Sequence, residues 1–168
     1  MRRWQLVLAL VVMASTAGAQ PVELSEQKAH YLLRFLRYVE WPTRPGTGPF
    51  VICVVALNQF GAALQAAAKG QLVDGRPVAI QVVHAPSTDC HIVFVPDGMN
   101  VGAYIRAAHG TLTVGESPAF RSQGGAITFV VVDNQVRFTI SAKAAARADV
   151  RISSRLLRLS YDDQPGAP

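Results

Sequence analysis

Cysteine, acidic side chains and catalytic motifs are all scarce in this chain. Its 168 residues include two cysteines, Cys53 and Cys90, and 11 Asp and Glu against 16 Lys and Arg. Neither cysteine lies in a Cys-x-x-Cys pair, so no thiolate metal knuckle is available. His30, His84, His91 and His109 share no ligand spacing on one element, and His-Glu-x-x-His is absent. Cys90 and His91 are neighbours, but adjacent side chains on a strand point to opposite faces and cannot form a dyad. There is no Gly-x-Ser-x-Gly elbow, and Gly110-Thr-Leu-Thr-Val-Gly115 has the wrong spacing for a dinucleotide fingerprint. Asp74, Asp89, Asp97, Glu116, Asp133 and Asp149 fall in turns or caps. Asp97 and Glu116 are placed for the carboxyl ends of strands, where open α/β sheets bind ligands. The expectation is a protein that is not an enzyme and carries neither metal nor cofactor.

Long apolar runs are missing too. Leu6–Met13 is too short to cross a bilayer, and no later run is long enough. Arg2 and Arg3 before it and Ala17-Gly18-Ala19 after it have the layout of an export signal. Residues 1–19 are therefore expected to be removed, leaving a periplasmic protein that begins near Gln20. A retained N-terminal anchor is the alternative. No cysteine follows the cleavage point, which argues against a lipoprotein. Losing Arg2 and Arg3 lowers the formal charge from +5 to +3. The remaining cations are scattered, as on a solvated surface, and do not suggest nucleic acid. In an oxidising compartment two thiols in one domain point to a Cys53–Cys90 disulfide. Two buried thiols packed as small hydrophobes are the alternative.

What is present is a core. Half of the residues are apolar, enough for one domain, expected over residues 20–161 with a disordered polar tail at 162–168. Phe50–Leu57 and Cys90–Val95 are unbroken apolar runs, as in strands buried on both faces. Val78–Val83 and Thr111–Val114 are further strands. Helices are expected over Gly61–Lys69 and Val101–His109, and a loop over Gly115–Gln123. Strands alternating with helices predict an α/β layered fold: a mainly parallel central sheet, flanking helices and an antiparallel C-terminal hairpin strand.

The hairpin is the most explicit local pattern. Ala126–Val132 is β-branched, Asp133-Asn134 suits a two-residue turn, and Gln135–Ile140 alternates. A two-residue loop sets Val131 opposite Val136, Phe129 opposite Phe138 and Ile127 opposite Ile140, all on one face. Thr128–Thr139 and Val130–Arg137 take the other face, with the second strand nearer a sheet edge.

The first helix is expected from a Ser25 cap to about Glu40, before Trp41-Pro42. It carries two apolar stripes. Ala29, Leu32, Leu36 and Val39 form one; Tyr31, Phe35 and Tyr38 form the other, with Arg34 beside it. One stripe suffices for the core. The second, Tyr31, Arg34, Phe35 and Tyr38, is a candidate partner-binding face, because Tyr and Arg are enriched in interfaces. Burial of both stripes within the chain is the alternative.

The segment from Lys28 to Pro42, KAHYLLRFLRYVEWP, resembles the opening helix of the YfiR-type periplasmic regulators. Phe50–Ala56, Asp74-Gly75-Arg76-Pro77 and Cys90-His91-Ile92-Val93-Phe94 are similar to the middle of that family. Phe120, Gly124-Gly125, Val136-Arg137-Phe138 and Ile152–Leu157 are similar to its end. The likeness covers nearly all of the expected mature chain. It implies an exported regulatory α/β domain whose namesake restrains an inner-membrane diguanylate cyclase by binding its periplasmic region. Related domains are joined to sensor kinases. Cys53 and Cys90 match two family cysteines; a second cysteine pair found in some members has no counterpart here. The expected function is a periplasmic regulator that binds the periplasmic part of a diguanylate cyclase or sensor kinase, acts as a homodimer, and couples envelope or redox state to cyclic di-GMP-type signalling. A periplasmic small-molecule binding protein is the alternative.

Overall fold

Buried strand residues fall into two alternating sets, and each set meets its own layer of helices. The computed structural model describes residues 20–44, 46–56 and 58–161. Both the export signal and the C-terminal tail lie outside the described residues. The elements in chain order are α1 (Gln20–Phe35), β1 (Val39–Glu40), β2 (Phe50–Val55), α2 (Gln59–Ala68), β3 (Leu72–Val73), β4 (Arg76–Val83), β5 (Ile92–Val95) and α3 (Val101–Arg106). They continue with β6 (Leu112–Gly115), α4 (Pro118–Ser122), β7 (Ile127–Val132), β8 (Gln135–Ile140), α5 (Ala142–Arg147), β9 (Arg151–Ile152) and α6 (Ser154–Leu157).

Seven strands form one sheet in the order β3-β4-β2-β5-β6-β7-β8. The five from β4 to β7 run parallel, and β3 and β8 are antiparallel strands at its two ends. This is the α/β architecture expected from the alternation of apolar strands with helices. In β2, Ile52 and Val54 join the larger core with Leu32 and Phe35 of α1 and Phe60 and Leu64 of α2. Cys53 and Val55 face the other way, into a smaller core with Val101 and Tyr104 of α3 and Phe120 of α4. A central strand covered on both faces needs no polar alternation, which is why Phe50–Val55 has none.

The hairpin has the expected register at every pair, from Ile127↔Ile140 to Val131↔Val136. Asp133 and Asn134 take φ of 49° and 58°, the left-handed pair a two-residue turn needs. Burial follows the register less closely. Val131, at the tip, is 53% exposed, whereas Thr139 on the other face is buried. Along the outer edge of β8, Tyr161 N–H donates to the Phe138 carbonyl and Ile140 N–H to Ser160 Oγ. Pairing that edge removes the exposed ladder that a terminal strand otherwise presents.

Two expected elements differ. The first helix starts at Gln20, ahead of Ser25, and stops at Phe35, well short of Glu40. Val39–Glu40 instead pairs antiparallel with Arg151–Ile152 as a separate two-stranded sheet. The Gly115–Gln123 loop contains α4, whose Ser117 Oγ accepts from Phe120 N–H, followed by Pro118 at the first helical position. The Asp74-Gly75 turn closes the β3–β4 hairpin, with both residues at positive φ.

Gly125 marks a close approach. A Cβ there would lie 2.0 Å from Phe120 Cε1, and one on Gly115 would lie 2.4 Å from Phe120 Cγ. The Phe120 ring, fully buried, is held between the end of β6 and the start of β7. Gly125→Ala is expected to destabilise the fold by about 1–3 kcal/mol through overpacking. Urea unfolding beside a Gly46→Ala control, where a Cβ meets nothing within 4 Å, checks this. Equal midpoints for both variants would show that the ring has room to move.

Candidate functional site

The side chains of the second α1 stripe do not share one environment. Phe35 is fully buried. Its ring stacks on Phe129 at 6.0 Å and meets Phe138 edge-on at 5.1 Å. Tyr31 is half-buried beside it, edge-on to Phe138 at 5.2 Å. The expectation that Phe35 faces a partner is corrected to this extent: in the folded chain it is core, because the β7–β8 hairpin lies under this side of α1. Tyr38, beyond the end of the helix, is half-buried with the Arg155 guanidinium 5.4 Å from its ring centroid.

Above Phe35 lies a shallow groove of about 160 Å³. Tyr31, Arg34 and Tyr38 form one wall, and Arg137 and Leu159 the other. Phe138 and Leu156, both buried, complete the floor. Arg34 is exposed, and its guanidinium makes no ion pair among the described residues. Arg137 donates to Gln135 Oε1 at 3.0 Å. Leu159 is 54% exposed. Three expected residues thus stand at one surface, over an apolar floor. Arg137 and Leu159 were not singled out in the sequence. Leu156 and Leu159 at i and i+3 carry a faint helical signal, but nothing local says that they reach α1.

A family model described as YfiR/HmsC-like matches residues 25–161. The chain belongs to the YfiR/HmsC-like family. Membership points to a regulatory protein of the periplasm in cyclic di-GMP signalling rather than to a catalyst. No curated protein matches the chain. Among the described residues, no helix is long and apolar enough to cross a membrane.

The YfiR/HmsC-like domain joins its two cysteines. Cys53 of β2 and Cys90, just ahead of β5, are disulfide-bonded with Cα atoms 5.7 Å apart. The pairing follows from topology, because β2 and β5 are parallel neighbours in the sheet centre. Both residues are fully buried in the smaller core. A reductant therefore reaches the bond only when the domain opens locally.

Just ahead of β5, His91 points to the opposite side from Cys90. Its ring packs edge-on against Trp41 and Phe50, and its Nδ1 accepts from Val51 N–H at 3.1 Å. Burial first, then the Arg44 and Arg76 charges, lower its pKa to about 4. The imidazole is neutral near pH 7 and acts as a structural acceptor. Trp41 Nε1–H donates to the His91 carbonyl, fixing the chain after α1 onto the sheet.

The acids expected at the strand carboxyl ends are there. Asp97 follows β5, Glu116 follows β6, and a cleft of about 630 Å³ lies beside them. Glu116 forms an ion pair with Lys28 of α1, and Asp97 Oδ1 accepts from Gly98 N–H. Both carboxylates are engaged within the domain, where they hold α1 and the β5–α3 turn in place. No group of His, Cys, Asp and Glu able to hold a metal occurs among the described residues.

Proposed function

We propose that this YfiR/HmsC-like protein binds the periplasmic part of an inner-membrane diguanylate cyclase or sensor kinase and restrains it. The docking face is the α1 groove, with Tyr31, Arg34 and Tyr38 as its anchors. The protein acts as a homodimer and couples envelope or redox state to cyclic di-GMP-type signalling. The observation that supports this reading most is the groove itself. It combines two half-buried tyrosines, an exposed Arg34 with no ion pair among the described residues, and the exposed Leu159 over a packed aromatic floor. Rigid aromatic rings and arginine concentrate binding energy in interfaces, at about 2 kcal/mol or more each on truncation. Phe35 supports the face from beneath and does not touch the partner.

The test uses a strain that lacks the chromosomal copy, complemented with wild type, Arg34→Glu or Tyr38→Ala. Both variants are expected to reach the periplasm at wild-type levels yet fail to lower cyclic di-GMP. A photo-crosslinking residue at position 38 is expected to capture an inner-membrane signalling enzyme. The same gel reads the homodimer as a band at twice the chain mass. Full restraint by both variants would remove the groove from the interface.

A further inference from the structure

A second hollow, of about 320 Å³, opens between the end of α3, the turn after α4, and α5. Arg106, His109, Gln123 and Arg147 stand around it. Thr113 of β6 lies in its floor and is 3% exposed. The floor is otherwise apolar, with Ala144 and Ala148 from α5.

Each of the two guanidiniums lies close to a glycine, and Gly124 takes a φ of 96°. A Cβ on Gly102 would lie 3.0 Å from Arg106 Nη1 and 2.8 Å from Gln123 Oε1. A Cβ on Gly124 would lie 2.8 Å from Arg147 Nη2. Gly102 sits inside α3 without a positive φ, so the space it leaves, rather than a turn, is what distinguishes it from alanine. Neither guanidinium has an ion pair or hydrogen bond among the described residues. Asp149 Oδ2 lies 3.9 Å from His109 Nδ1, with both side chains exposed. Thr113 Oγ1 already accepts from Ala126 N–H at 3.1 Å, which leaves its own proton to donate.

Arginine in a last helical turn often just offsets the carbonyl ends of the helix. That role is met by a guanidinium spread in solvent. It does not call for two guanidiniums from different helices at one hollow with a hydroxyl donor in its floor.

We propose that this hollow binds a phosphate group, carried by a small molecule or a lipid headgroup. Arg106, Arg147, His109, Gln123 Nε2 and the Thr113 hydroxyl come from α3, α5, β6 and the turns between them. Donors arriving from several directions suit a tetrahedral oxyanion better than a planar carboxylate, and arginine forks suit its oxygens. The volume leaves room for a short organic group beside the phosphate. The site is separate from the α1 groove and does not depend on the docking reading.

Titration calorimetry of the full oxidised protein with inorganic phosphate and with glycerol 3-phosphate tests it. Saturable binding is expected, weakened at least about tenfold by Arg106→Gln and again by Arg147→Gln, one charge-assisted contact each. Melting without ligand is expected to match wild type. Should Arg147→Gln melt early, Arg147→Lys keeps the charge, loses the fork and is expected to weaken binding alone. Phosphatidylglycerol–phosphatidylcholine vesicles identify the source. Binding that Arg147→Gln reduces and glycerol 3-phosphate competes away assigns a headgroup. Saturable binding of the soluble phosphates alone assigns a free phosphorylated molecule. Absence of saturable phosphate binding to wild type, or its survival in the Arg106→Gln/Arg147→Gln double variant, overturns the proposal.

Discussion

Phe35→Ala is expected to lower folding stability by about 3–5 kcal/mol, the usual cost of emptying a buried aromatic site. The side chain is fully buried in the larger core. It touches Phe129, Phe138 and Tyr31 at ring distances of 6.0, 5.1 and 6.1 Å, so α1 loses its main contact with the hairpin when the ring goes. Tyr31→Ala, at a half-buried position, is expected to cost less. Urea unfolding of the oxidised protein, read as a shift in midpoint at constant slope, compares the two. If Phe35→Ala kept wild-type stability and lost only association, Phe35 would belong to a binding surface after all. The comparison also guards the cellular test of the groove. A stability defect at Phe35 and a binding defect at Arg34 or Tyr38 are different results.

Removing the Cys53–Cys90 bond has an effect of similar size. The two cysteines are 37 residues apart in sequence. Closing a loop of that length restricts the unfolded chain by about 4 kcal/mol in the chain-entropy model. Cys53→Ala/Cys90→Ala is expected to lose that much, plus the packing of the sulfur atoms in the smaller core. Unfolding of oxidised wild type beside the double variant measures the difference. A direct check comes first. Periplasmic protein alkylated before reduction is expected to show no labelled thiol by mass spectrometry. Two labelled thiols would mean that the pair is free in the cell, where the bond would then contribute nothing to stability. Because both cysteines are fully buried, bond cleavage would be coupled to opening of the β2–β5 region. Redox state would then act through that opening rather than through an exposed switch.

Much of the hairpin was legible in sequence because it is local. Asp133-Asn134 specifies a two-residue turn, and the turn sets every pair from Ile127↔Ile140 to Val131↔Val136. The central position of β2 was legible in its lack of polar residues. The Cys53–Cys90 bond was legible as one of two alternatives, and the parallel pairing of β2 with β5 decides between them. The end of α1 was not legible. Tyr38-Val39-Glu40 suits a helix as well as a strand, and the choice is made by Arg151–Ile152, far along the chain. Ser153 N–H then donates to the Tyr38 carbonyl and fixes that residue at the rim of the groove.

The sequence by itself determined which segments are strands and helices with apolar faces, where the chain turns, and that α1 carries more apolar surface than one contact needs. Periodicity and turn chemistry are local properties, so these survive without knowledge of partners in space. Only the tertiary structure decided that Phe35 goes inside while Tyr31 and Tyr38 stay at the edge. All three lie on one stripe, and what separates them is how far the β7–β8 hairpin extends beneath α1. Likewise Arg137 and Leu159 joined Arg34 at one groove, and Arg106 and Arg147 came to one hollow. The physical reason is the same in each case. A helix face or strand end is specified by a few neighbouring residues, but the far wall of a site comes from segments whose approach is set by packing of the whole sheet.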